Sequence, residues 1–239
     1  DVAKAGNVFT ITLTVDEPWL KSPERKFPVL LDPTIELQPP TEDLSIRANS
    51  PSSLPVTYDR LLLSSGSDNY WRGALKFDLG DLPKGASITD ARLKLFFDGI
   101  CHFGDLRCGA GPHQIDAHRM SRDWNTSTIT SDFAFDPTVL SSYTLPNTTG
   151  GHVMSWSVTG TVSDWYLGIQ PNYGFLLKRH TEALNELGPR PPGRRFTADP
   201  SYRPKIDVSW SGDAVNLLKP DTVHSNGAEL RWERYVGGQ

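Results

Sequence analysis

Apolar and polar residues alternate along much of this chain with a period of two, the pattern of strands half-buried against a core. The segment 8–15, VFTITLTV, alternates β-branched and aromatic residues and predicts a strand. FPVLL, 27–31, predicts a second short one ending at Asp32-Pro33, and Pro39-Pro40 marks a break that could divide domains. Further strands are expected over 43–48, 60–63 and 72–79. The clearest lies in SITDARLKLFFDGI, 87–100, where Ile88, Ala91, Leu93, Leu95 and Phe97 fall mostly on one side, with a slip near Thr89-Asp90, and Arg92 and Lys94 on the other. The segments 113–120, 173–179, 204–210 and 228–235 supply the later strands. One stretch switches period: Val158, Val162, Trp165 and Tyr166 recur at i, i+4, i+7 and i+8, with Thr159 as a candidate cap and Gly168 as a candidate stop. Many short strands and one short helix predict an all-β fold, a β-sandwich or jelly roll.

Composition agrees and narrows the partners. Among 239 residues there are 20 Gly, 19 Pro, 7 Trp and only 2 Met, which speaks against a helical bundle. Aromatic content of 10% with a net charge of −4 speaks against intrinsic disorder. A pI near 5.9 gives no global pull toward nucleic acid or anionic lipid, so no nucleic-acid partner is expected. No apolar run approaches the roughly 20 residues of a membrane span, so no membrane insertion is expected. The chain starts at Asp1 without an apolar signal segment, which reads as a mature or excised piece of something longer.

Cys101 and Cys108, in CHFGDLRC, are the two cysteines. A disulfide would close a small loop and remove about 2–3 kcal/mol of denatured-state freedom. Free thiols, or a metal site with His102 and His113 nearby, are the alternatives. A disulfide would imply an oxidising, extracellular compartment.

Four stretches follow one another in order: ALKFDLGDLPKGASITDARLKLFF, IDAHRMSRDWNTSTIT, MSWSVTGTVSDWYLGIQPNYGFLLKR and RPKIDVSW. This run resembles the DNRLRE domain family, secreted bacterial β-sandwich modules related to carbohydrate-binding modules. The resemblance covers residues 36–211. EPWLKSPERKFPVLLDPTIEL resembles the segment before this module in bacterial RHS/YD-repeat and polymorphic-toxin-type surface proteins. NLLKPDTVHSNGAELRWERY resembles the start of a fibronectin-type-III-like module. Residues 1–35 are therefore expected to end a preceding β-domain, 36–211 to form a jelly-roll sandwich, and 212–239 to begin a following module. The chain departs from the family at Cys101–Gly111 and at the basic stretch GPRPPGRR, 188–195.

Four kinds of chemistry can be weighed against these residues. His113, His118 and His152 lie among many Ser and Asp, yet no GxSxG elbow supports a Ser-His-Asp triad. Asp43, Asp59, Asp78, Asp81, Asp116 and Asp123 lie in or beside strands, but Asp78 and Asp81 read as turn residues rather than a glycosidase pair. A structural Ca²⁺ is the cofactor to consider, because modules of this type often hold one where the first and last strands meet. Asp43, with Glu42 beside it, and Asp207 are its candidate ligands, set against the reading of ordinary turn polars. For sugar binding, Tyr70 and Trp71 could stack on a pyranose and Arg72 could contact an acidic sugar. The alternative is that Trp71 caps the end of the sandwich or packs on a neighbouring domain.

The sequence thus reads as a secreted, non-catalytic binding or scaffold module of a larger bacterial surface or RHS-type protein. Its partners would be a polysaccharide or other segments of the parent polypeptide. A purely structural module is the alternative, and a polysaccharide-degrading enzyme the third reading.

Overall fold

A computed structural model describes residues 34–48, 57–65, 70–82, 85–101, 112–126, 134–146, 150–182 and 188–211, with the backbone of short strands in both end segments. In chain order the early strands are β1 (Val2–Ala5), β2 (Val8–Ile11), β3 (Val29–Leu30), β4 (Thr34–Leu37), β5 (Glu42–Arg47) and β6 (Ser64–Ser65). Next come β7 (Tyr70–Lys76), β8 (Ser87–Phe97), β9 (His113–Arg119), β10 (Ser141–Leu145), β11 (His152–Ser157), helix α1 (Thr159–Tyr166), β12 (Phe175–Arg179) and β13 (Lys205–Ser211). The last four are β14 (Val215–Leu217), β15 (Val223–His224), β16 (Gly227–Ala228) and β17 (Trp232–Arg234).

Two compact units result, Pro33–Trp210 and a second made of both ends, Asp1–Asp32 with Ser211–Gln239. The sequence assigned these ends to two different neighbours. Within the second unit β3 pairs antiparallel with β14, which also pairs with β17. Neither end is long enough to bury a core alone, and pairing supplies backbone partners to both.

The larger unit is an all-β sandwich with a single short helix. One sheet runs β10-β9-β12-β7-β5, with β6 also on β7, and the other runs β11-β8-β13-β4. The chain changes sheet at most connections, for example from β7 to β8, β8 to β9 and β11 to β12. Leu93, Leu95 and Phe97, which alternation places on one side of β8, are buried between the sheets with Leu75 and Phe77. Trp156 is fully buried, and its indole N–H donates to the Ile115 carbonyl at 2.9 Å, as a buried indole requires. Trp165 packs against Phe175 with ring centroids 4.7 Å apart.

Helix α1 buries Val162 and Trp165, and Gly168, at φ 71°, follows its C-terminus as expected. Thr159 does not cap it: its hydroxyl accepts from the Ala91 N–H at 2.9 Å and so ties the helix to β8. Gly174 adopts φ 86°, and a Cβ there would sit 2.2 Å from the Leu75 carbonyl oxygen, so only glycine lets β12 lie against β7 at this point.

The expected strand over 60–63 is not one. Its N–H groups go instead to the Pro191 carbonyl, the Ser45 hydroxyl and the Pro189 carbonyl. The basic stretch 188–195 is the strap that pins it. Strands β10 and β11 carried no alternation strong enough to be read in advance.

Candidate functional site

Core-facing Ile115 and Ala117 on β9 and Leu177 on β12 turn the intervening side chains to the opposite face of the larger sheet. There the register lays a polar row across four strands. Ser142 of β10 pairs with Asp116 of β9, and Asp116 pairs with Lys178 of β12. One step beyond the Leu177–Gly73 pair, Lys178 comes beside Arg72 of β7. The same face carries an apolar half, with Leu44, Ile46, Ala74, Leu176, Met120 and Trp124 buried together.

At the centre of the row Asp116 binds on both sides. Ser142 Oγ donates to its Oδ1 at 2.6 Å, and His180 Nδ1 lies 2.7 Å from its Oδ2. The Asp116 side chain is only 3% exposed, whereas His180 is 54% exposed. Burial alone would push this carboxyl up, but the bonds from Ser142 and His180 and the nearby charges of His180 and Lys178 outweigh it and hold it below the usual carboxylate range. With Nδ1 turned to the carboxylate, the second ring nitrogen is the one left for chemistry, on a half-exposed ring. The His180 backbone N–H donates to the Gln114 carbonyl at 3.0 Å and extends the β12–β9 ladder beneath the ring.

Beside this pair Arg72 grips Glu182 with two parallel bonds, Nε to Oε1 and Nη2 to Oε2, both 2.8 Å. Lys178 Nζ lies 3.8 Å from the same carboxylate. The Arg72 guanidinium sits 5.3 Å from the centre of the Phe135 ring. His118, on the same face, plays a different part. Its Nδ1 donates to the Asp136 and Thr138 carbonyls at 3.1 Å, and burial lowers its pKa, so it is a neutral structural ring.

The sites named from sequence are dispersed. Tyr70, Trp71 and Arg72 are consecutive on β7, so Trp71 points to the face opposite Arg72. Trp71 lies under the Arg47 guanidinium, 5.2 Å from ring centre to Cζ, and Arg72 is engaged by Glu182. Asp43 is on β5, where it accepts from the Arg194 N–H at 2.7 Å and from Arg195 Nη1 at 3.2 Å. Burial raises its pKa despite these partners. Asp207 is on β13 of the other sheet, with one oxygen 2.5 Å from Lys94 Nζ. The two candidate calcium ligands thus belong to different sheets, each with its own cation. No cluster of three or more His, Cys, Asp or Glu suited to a metal occurs among the described residues. Cys101 is disulfide-bonded, while Cys108 lies outside the described residues.

His180, Ser142, Lys178 and Glu182 were not found by sequence reasoning. The available signal was polar alternation within HQIDAH and FLLKRH, where Gln114, Asp116, His118, Lys178 and His180 share one face. No local motif joins Asp116 to a histidine 64 positions away.

No protein-family profile matches the chain, so the DNRLRE resemblance rests on its motifs alone. The chain is 21% identical, over 97% of its length, to the tRNA nuclease WapA of Bacillus subtilis strain 168. It is equally similar to the tRNA(Glu)-specific nuclease WapA of Bacillus subtilis subsp. natto. It spans about 10% of the length of those relatives. This similarity corrects the sequence reading on two points. The proteins matched are named as nucleases, which overturns the assignment of a non-catalytic carbohydrate-binding or scaffold module. The same similarity counts against the expectation that the chain is non-catalytic.

Proposed function

We propose that this chain is a segment of an RNA-cleaving polypeptide and that its own reactive group is the His180–Asp116 pair. The observation that carries the reading is a buried, ionised carboxylate, fixed by Ser142, that orients a half-exposed imidazole. An imidazole held this way is built to take a proton. In RNA the proton would come from a ribose 2′-hydroxyl, whose oxygen then attacks the adjacent phosphorus to give a 2′,3′-cyclic phosphate, while the 5′-oxygen leaves and takes a proton from solvent water. Asp116 stabilises the imidazolium that forms, and Lys178 adds positive charge one strand away. Similarity along nearly the whole chain to proteins named as tRNA nucleases supports the same reading.

The acidic balance that argued against nucleic acid does not oppose a local contact. It predicts weak, salt-sensitive binding through a few cations rather than a broad basic surface. The test is cleavage of bulk tRNA by the purified chain at neutral pH. His180→Ala should slow cleavage by about 10²–10⁴-fold, the usual contribution of a positioned base. Asp116→Asn should also slow it while the circular dichroism spectrum stays unchanged. Intact tRNA with the unsubstituted chain, or undiminished cleavage by His180→Ala, would overturn the proposal.

A further inference from the structure

We infer that Arg72 and Lys178 form a phosphate-binding subsite and that the Glu182 carboxylate occupies it as a stand-in for the anion. The inference takes its ligand, an RNA phosphate, from the nuclease reading, but its geometry stands apart from the His180–Asp116 pair.

Arg72 offers two N–H groups in one plane to two oxygens of one anion, the fork by which guanidinium groups recognise phosphate as well as carboxylate. Lys178 stands on the other side of that anion, 3.8 Å from Oε2. Phe135 lies against the guanidinium and limits its swing. Arg72, Lys178 and Glu182 are 18%, 15% and 20% exposed, so their attraction is less screened than that of a surface pair. Two cations converge there on one monovalent carboxylate.

Two features distinguish Glu182 from the groups around it. Arg72 and Lys178 are held by strand ladders, β7 against β5 and β12 against β9. Glu182 lies beyond the last residue of β12 and belongs to no strand. The two cations thus project from paired strands, while the carboxylate comes from a residue outside them. The position also suits the chemistry. Lys178 pairs directly with Asp116, and Arg72 is one strand further on, so the subsite begins about 5 Å and ends about 10 Å from the Asp116 backbone at ordinary strand spacing. A phosphate held by Arg72 and Lys178 would stand next to the one presented to His180.

The test titrates inorganic phosphate, without RNA, into the chain and into Glu182→Gln, which keeps the shape and one acceptor but not the charge. Glu182→Gln should bind phosphate at least tenfold more tightly, and adding Arg72→Ala should abolish the gain. Equal affinity in the two proteins, or a gain that survives Arg72→Ala, would overturn the subsite. In case Glu182→Gln does not fold, the unsubstituted chain is followed by nitrogen-15 NMR. Saturating phosphate should move the Arg72 Nε–H resonance as Glu182 is displaced, and an unmoved resonance would count equally against it. The two proposals fail separately. Tight phosphate binding by Glu182→Gln beside intact tRNA sinks only the nuclease reading. Cleaved tRNA with no phosphate gain sinks only the subsite.

Discussion

The two sheets turn very different outer faces away from their shared core. On the smaller sheet the outward side chains form ion pairs across strands: Lys94 with Asp207, Lys205 with Glu36 and, within β8, Arg92 with Asp90. These groups are roughly a fifth to a half exposed, and Val153 beside them is 51% exposed. On the larger sheet the outward face carries a second apolar cluster, and Asp116, Arg72, Lys178 and Glu182 next to it are a fifth exposed or less. The ladder geometry is the same on both sides, so covering decides what a charge can do. An exposed pair is a solubility feature, whereas a covered one is oriented and can be set to a task.

This contrast can be broken at several points. Leu176 is fully buried in the outer apolar cluster, and Leu176→Ala should cost about 2–5 kcal/mol in urea unfolding. Val153→Ala on the other outer face should cost less than about 0.5 kcal/mol. Equal costs would show that the larger sheet has no second core. Next in size, Asp116→Asn removes a charged acceptor from Ser142 and His180 and should cost about 1.5–3 kcal/mol. Lys94→Met breaks an ion pair whose carboxylate, Asp207, is 21% exposed against 3% for Asp116, and should cost about 1 kcal/mol or less in the same assay.

Sequence showed more of the core than of the site, for a physical reason. Leu93, Leu95 and Phe97 declare their burial through a local period of two, and Val162 and Trp165 through a period near four. The row Ser142–Asp116–Lys178–Arg72 has no local period, because it runs perpendicular to the strands. It exists only once the sheet order β10-β9-β12-β7 is known. Polar alternation in HQIDAH marked half of it. The other half needed the pairing of β9 with β12, which no residue spacing encodes. The strap at 188–195 is hidden from the sequence for a related reason. Its Pro and Arg content looks solvated, yet its carbonyls satisfy Leu61 and Leu63, and its Arg194 and Arg195 neutralise buried Asp43. Composition cannot report what lies underneath a loop.

The smallest effect separates the outer face from the edge by the sign of its pH dependence. His118, buried against Phe135, has a folded pKa below the ordinary 6.5, so the unfolded chain takes up that proton first. Stability is therefore full above pH 6.5 and is lost as pH falls through the window beneath it. Asp116 behaves likewise at lower pH: its folded pKa lies below 3.8, and its contribution is lost as pH falls through that range. Asp43, at the edge under the strap, has a folded pKa above 3.8, so there the folded chain binds the proton more tightly. Its ionisation opposes folding, and stability declines as pH rises through that window. Urea unfolding at intervals from pH 7 to pH 4 should show a decline on acidification that His118→Gln removes in the upper part of the range. Asp43→Asn should leave that decline in place and remove only the opposing trend near the carboxylate range. If Asp43→Asn instead abolished the upper decline, the acid sensitivity would belong to the strap, and His118 would no longer distinguish the outer face of the larger sheet.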